Sequence, residues 1–232
     1  MIVAALLFPF ALQAEAPAAS ATAPAAHLTG SGEARFRQCV DLIDQGAERA
    51  YEEGMAWAAE THEIGGYRCA AMALTAQPGR AAEGARRLES LAVTLNPEAT
   101  GLRAELFSQA GNAYLLAYDS AHARSAFTRA IATVQSTPEQ LPDLLIDRAR
   151  AYAMEHDYRN AEEDLSHSLD IRANDALALR LRASARMHQN AFELAEADAQ
   201  AAVNLDPTNV ESLVMLGNAK EARRTGQPVD TP

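Results

Sequence analysis

Phe107–Ile131 reads FSQAGNAYLLAYDSAHARSAFTRAI, and its pattern returns twice further down the chain. Shifting the sequence by 34 residues carries Leu145 onto Leu179 and then Leu213, Ala149 onto Ala183 and then Gly217, and Ala151 onto Ala185 and then Ala219. The same shift sets Tyr158 on Phe192, Ala161 on Ala195 and Leu169 on Val203. In the quoted copy the matching positions are Phe107, Gly111, Ala113, Tyr114, Ala123, Phe127 and Ala130, with a longer connection to the next. A fixed period of this length marks a repeat array, in which each unit buries its apolar face on its neighbours. No stretch alternates apolar and polar residues for long enough to read as a strand, so every unit is a pair of amphipathic helices. Ala123, Ala161 and Ala195 fall where a second helix crosses a first, and a small side chain permits the close approach. Pro97, Pro138, Pro142 and Pro207 fall at or near helix starts, where a missing N–H costs nothing. The expected fold is all-α, a solenoid of antiparallel helix–turn–helix repeats.

The order large apolar, Gly/Ala, Tyr on a first helix, then Ala, aromatic, Ala on a second, then Pro, resembles the tetratricopeptide repeat (TPR) family. Pro207 in Asn204–Asn209 supplies the closing proline. The resemblance is close over 104–224, whereas 31–98 matches only the helix–turn–helix outline. Repeats are expected at about 31–64, 65–98, 104–137, 142–175 and 176–209, with a capping helix at 210–224 and a loose tail at 225–232.

Upstream of the repeats, Met1–Ala14 is an apolar run without a charge, too short to span a bilayer and ending in small residues before Glu15. It reads as a signal peptide, or alternatively as a short membrane anchor. The Ala/Pro/Ser/Gly-rich 15–32 reads as a disordered linker. Localisation is accordingly expected outside the cytoplasm, in the periplasm of a Gram-negative-type cell envelope, with membrane contact only through an uncleaved N-terminus.

The chain carries 20 basic and 31 acidic residues, a net charge of −11, which disfavours nucleic acid as a partner. No metal or cofactor is expected. The six histidines show no ligand spacing, GSG at 30–32 follows no strand and precedes no Gly-Lys-Ser/Thr, and no serine lies in a nucleophile elbow. Nothing here forms a catalytic constellation, so the chain reads as a non-enzyme that takes another protein, not a small molecule, as its partner. Two roles stay open: a scaffold holding a peptide or helix, or an architectural subunit that self-associates in a larger assembly.

Arg148 and Asp164 lie sixteen residues apart, as do Arg182 and Asp198 at the matching positions of the next copy, while the copy before holds Ala110 and Ala126 there. Both charges are present or both absent, which points to ion pairs inside hairpins; the alternative is arginines presented to a ligand. Cys39 and Cys69 are the only cysteines, on first helices of adjacent units, and form either a disulfide or two buried thiols. Trp57 is expected to pack against the next unit, and Gly65 and Gly66 to end its helix.

What the resemblance implies for binding is a groove lined by the first helices. In this chain the family's groove positions fall on Ser108, Asn112, Leu115 and Leu116, then Ile146, Arg150 and Met154, then Arg180, Ser184, Met187 and His188, and finally Asn218. Arg150 and Arg180 would then receive an acidic group of the partner. Family members that clamp a C-terminal carboxylate use lysine and asparagine. Here Asn112 matches and Ser108 replaces the lysine.

Overall fold

The computed structural model describes residues 29–134 and 138–229. The signal-peptide reading of 1–14, most of the 15–32 linker and the last three residues lie outside the described residues. Among the described residues there are eleven α-helices and no strand: α1 (Gly32–Gln45), α2 (Ala47–Thr61), α3 (Ile64–Thr75), α4 (Ala81–Thr94), α5 (Thr100–Leu116), α6 (Ser120–Thr133), α7 (Leu141–Met154), α8 (Tyr158–Ile171), α9 (Ala176–His188), α10 (Phe192–Leu205) and α11 (Val210–Thr225). Consecutive helices pack on one another, and the odd-numbered helices also touch in sequence from α1 to α11. The odd helices therefore form one layer and the even helices the other, and the core runs through the seam as successive buried clusters.

Local chemistry sets the helix limits. Asp119, Asp157, Asp175 and Asn209 each cap the helix that follows, their side chains accepting the N–H of His122, Asn160, Ala178 and Ser212. The last three hairpins share one turn. Tyr118, His156 and Asn190 adopt the left-handed conformation at φ 57°, 59° and 62°, and the next residue's N–H reaches back to the carbonyl of Tyr114, Tyr152 or Arg186 at 2.9 Å.

Ala123, Ala161 and Ala195 are all buried at the crossings. In the copy at 104–137 the first-helix partner is Gly111, and a Cβ there would stand 2.6 Å from the Phe127 ring, so the glycine seats the phenylalanine. Gly65 and Gly66 differ from expectation. They lie inside the first turn of α3, not at the end of α2, which stops at Thr61 with His62 left-handed behind it. The reason is contact: a Cβ on Gly66 would come within 2.6 Å of the Ala58 backbone nitrogen, and one on Gly65 within 2.4 Å of the Trp57 ring. Their missing side chains let α3 lie against α2 and cover Trp57, which is buried.

Each ion pair lies within its hairpin. Arg148 donates to both carboxylate oxygens of Asp164 at 2.8 and 2.7 Å, and Arg182 to both of Asp198 at 2.8 and 2.9 Å. Each arginine also reaches the preceding second helix, through Thr128 Oγ1 at 3.3 Å and Ser166 Oγ at 3.2 Å. One guanidinium thus fastens three helices. Cys39 and Cys69 are bridged, with Cα atoms 5.9 Å apart, joining α1 to α3 beside Trp57. On α11 the buried face is Ser212, Met215, Leu216, Ala219 and Ala222. The tail expected to be loose is not so throughout, because Val229 packs back onto the cluster of α9, α10 and α11.

Candidate functional site

The layer of odd helices carries a pocket of about 510 Å³ between α5 and α7, lined by Asn112, Leu115, Leu116, Tyr118, Arg150 and Met154. Five of these six are among the groove residues read from the sequence. Leu115 is the buried floor, whereas Leu116 is 67% and Tyr118 85% exposed, and Met154 is exposed too. Tyr118 was missed. It sits at the hairpin tip in a left-handed conformation that is uncommon for a bulky side chain, and this turn stands its ring at the pocket mouth.

A second pocket of about 140 Å³ adjoins through Arg150 and is lined also by Ala149, Ala153, Tyr158, Ala161, Leu165, Leu181, Ser184 and Ala185. His188 lies at its edge, stacked on Tyr158 with ring centroids 4.4 Å apart and planes within 10°. Ser108 gives its carbonyl to Asn112 Nδ2 at 3.3 Å, and Asn218 is half-buried on α11.

Two expected groove residues are not on this surface. Ile146 is buried in the cluster of α7–α10, and Met187 is fully buried among side chains of α9, α10 and α11. Met187 shares its repeat position with the buried Leu115, so this position forms floor and not rim. Ile146 shares its position with the polar Ser108 and Arg180, and the packing of α7 to α10 around it buries its apolar side chain.

The groove cations are already paired. Arg150 donates to Asp147 at 3.2 Å, and Asn112 of α5 donates to the other oxygen of Asp147 at 3.3 Å. Arg180 of α9 pairs with Glu211 of α11 and donates to Asn209 at 3.3 Å. Arg68 of α3 pairs with Glu105 of α5 and donates to Gln109 at 3.1 Å. Polar contacts therefore link neighbouring odd helices α3–α5, α5–α7 and α9–α11. The partners lie 37, 35 and 31 residues apart, close to one repeat length, which is a signal the sequence contained.

Burial raises the Asp147 carboxyl above its ordinary value of 3.8, against the lowering influence of Asn112 and Arg150. The native state then keeps this proton to higher pH than the unfolded chain does, so stability declines as pH rises from the unfolded towards the native value. Asp147→Asn is expected to raise the melting temperature at pH 7, because the amide carries no charge to desolvate. That gain vanishes as pH falls through the raised native value towards 3.8. Thermal melts across this range check it, and a gain that grows on acidification would contradict it. Among the described residues no group of three or more His, Cys, Asp or Glu could hold a metal ion, and no helix is long and apolar enough to cross a membrane.

No protein-family model and no curated protein sequence matches the chain. Among solved structures it is similar to the first TPR domain of human RPAP3, at 23% identity and TM-score 0.50, over 56% of this chain and 96% of that one. It is also similar to the C-terminal TPR-containing domain of a Plasmodium falciparum FK506-binding protein, at 19% identity and TM-score 0.50, over 58% of this chain and 97% of that one. The first TPR of Spaghetti (RPAP3) bound to the HSP90 peptide SRMEEVD is 24% identical, over 52% of this chain and 93% of that one, with TM-score 0.48. The two likenesses at TM-score 0.50 agree with the helix order and packing: the fold is a tetratricopeptide-type helical repeat.

Proposed function

We propose that the protein is a scaffold that holds a segment of another protein in the pocket between α5 and α7. The observation that carries this reading is the pocket of about 510 Å³ with three large apolar side chains, Leu116, Tyr118 and Met154, left exposed around a buried Leu115 floor. Exposed apolar surface gathered at one concavity is characteristic of binding sites, and aromatic and methionine side chains supply adaptable contact area. Arg68, Arg150 and Arg180 each pair with a carboxylate of this chain, so an acidic partner would have to displace Glu105, Asp147 or Glu211. An apolar helix or strand is the better fit.

We further propose that the protein works in the cell envelope. The apolar Met1–Ala14 supports this, as does the Cys39–Cys69 bridge, since disulfides persist in oxidising compartments.

A photo-cross-linking residue at Leu116 or at Met154, expressed in the native host, tests the binding site. Both positions are expected to capture one and the same protein from the envelope fraction, and Tyr118→Ala combined with Leu116→Glu to abolish capture at Met154. Capture from exposed Ser125 on α6, with none from Leu116 or Met154, would move binding to the even-helix layer.

A further inference from the structure

A second concavity, of about 390 Å³, lies among the N-terminal turns of α1, α3 and α5, with Phe36, Ile64 and Leu102 as apolar walls over the buried Trp57. Two glycines shape it. Gly65 gives room to the Trp57 ring, and Gly32 to the Glu63 carboxylate, from which a Cβ would stand 2.9 Å away. The Cys39–Cys69 bridge ties α1 to α3, so these walls are set before anything binds. One helix joins this concavity to the pocket between α5 and α7. Most of α5 is buried, and along its uncovered side run Leu102, Glu105, Gln109, Asn112 and Leu116, one helix face at spacings of three and four. Leu102 lines the first concavity, and Asn112 and Leu116 line the second. Leu102 and Leu116 are fourteen residues apart, about 21 Å along a helix.

Resting on the reading that the α5–α7 pocket holds a segment of another protein, we propose that this segment is an amphipathic helix lying along α5. It places one large apolar side chain in each concavity and a basic side chain beside the first. A helix has the same rise as α5, so its two anchors fall about fourteen residues apart, two heptads on one face. An extended chain would bring unpaired N–H and C=O groups over the stripe, where the polar side chains are turned to partners of their own. Glu105 and Gln109 hold Arg68, and Asn112 donates to Asp147 and to the Ser108 carbonyl. A helix arrives with its backbone hydrogen bonds already made. The sign of the charge comes from the first concavity. Glu63 is exposed there, accepts the Trp57 Nε1–H at 3.2 Å and forms no ion pair with a described residue. Glu33 beside it pairs only along its own helix, with Arg37, and the cation in the lining, Arg68, is bound to Glu105. A basic side chain of the partner therefore meets an unanswered carboxylate.

Diazirine side chains at Leu102 and at Leu116, each in the native host, test this. Both are expected to capture one protein, at partner residues about fourteen apart in a single segment, with Lys or Arg beside the residue caught from Leu102. Should the change at Leu102 unfold the chain, the exposed Glu33 in the same concavity takes its place. The captured segment, made as a peptide, is expected to gain helical circular dichroism on binding. Glu63→Gln, which keeps an acceptor for Trp57, is expected to weaken that peptide about two- to fivefold. Capture at Leu116 with none at Leu102 or Glu33 overturns the two-anchor helix and leaves the α5–α7 site standing. Capture at neither Leu116 nor Met154 removes that site, and the helix with it. Partner residues only six or seven apart would mean an extended chain, at about 3.3 Å per residue, and overturn the helix. An affinity that Glu63→Gln leaves unchanged overturns the basic side chain.

Discussion

Asp198→Ala is expected to destabilise the protein by about 3–5 kcal/mol, because it strands buried positive charge. Asp198 is buried and receives Arg182 through two hydrogen bonds and Arg186 through a third at 2.8 Å. Without it Arg186 still has Glu162 at 2.7 Å, but Arg182 keeps only the Ser166 hydroxyl. For a chain of this size the loss corresponds to a fall of roughly 6–20 °C in melting temperature. The pair one repeat earlier supplies the control. Asp164→Ala leaves Arg148 with the Thr128 hydroxyl and the Tyr152 ring but no carboxylate, so the single change is expected to be worse than Arg148→Ala and Asp164→Ala together. Chemical denaturation of the set reads the coupling directly. A single Asp164→Ala no worse than the double would show that the pairs contribute nothing to holding the hairpins.

Removing the Cys39–Cys69 bridge is expected to cost about 3–4 kcal/mol, from the chain entropy of a loop of this length. The bridge separates residues 30 apart and ties α1 to α3. In a repeat array stability is a sum of local terms, so the loss is expected at one end. Hydrogen exchange on the Cys39→Ser, Cys69→Ser chain is expected to show amides of α1–α3 losing protection while those of α7–α10 retain theirs. Equal protection with and without the bridge would mean that side-chain packing around Trp57 and Leu42 already holds this end.

What could be read from sequence followed from periodicity. The spacing of Leu145, Leu179 and Leu213 sets the repeat length, and the joint presence or absence of Arg and Asp sixteen residues apart points to hairpin pairs, which the structure contains. The glycines at 65 and 66 misled because the same residue serves a turn or a tight crossing. Only the position of Trp57 and Ala58 distinguishes the two, and that is a long-range fact. Ile146 and Met187 misled for a related reason. A position carried over from a repeat pattern specifies a helix face, but the neighbouring helices and the size of the side chain decide whether it ends as rim or floor. Tyr118 escaped notice because it lies in the turn, outside the helical period, and Asp147 because its partner Asn112 is on the preceding first helix.

The polar contacts between neighbouring odd helices bear on the elasticity of the array. A solenoid bends when its repeats slide past one another, and Arg68–Glu105, Asn112–Asp147 and Arg180–Glu211 each span such a sliding plane. Glu105 and Glu211 are exposed, so salt screens two of these ties more than it disturbs the apolar seam beneath. Rising ionic strength is therefore expected to loosen two of these three ties while leaving the apolar seam in place, so that the array becomes more compliant before it becomes less stable.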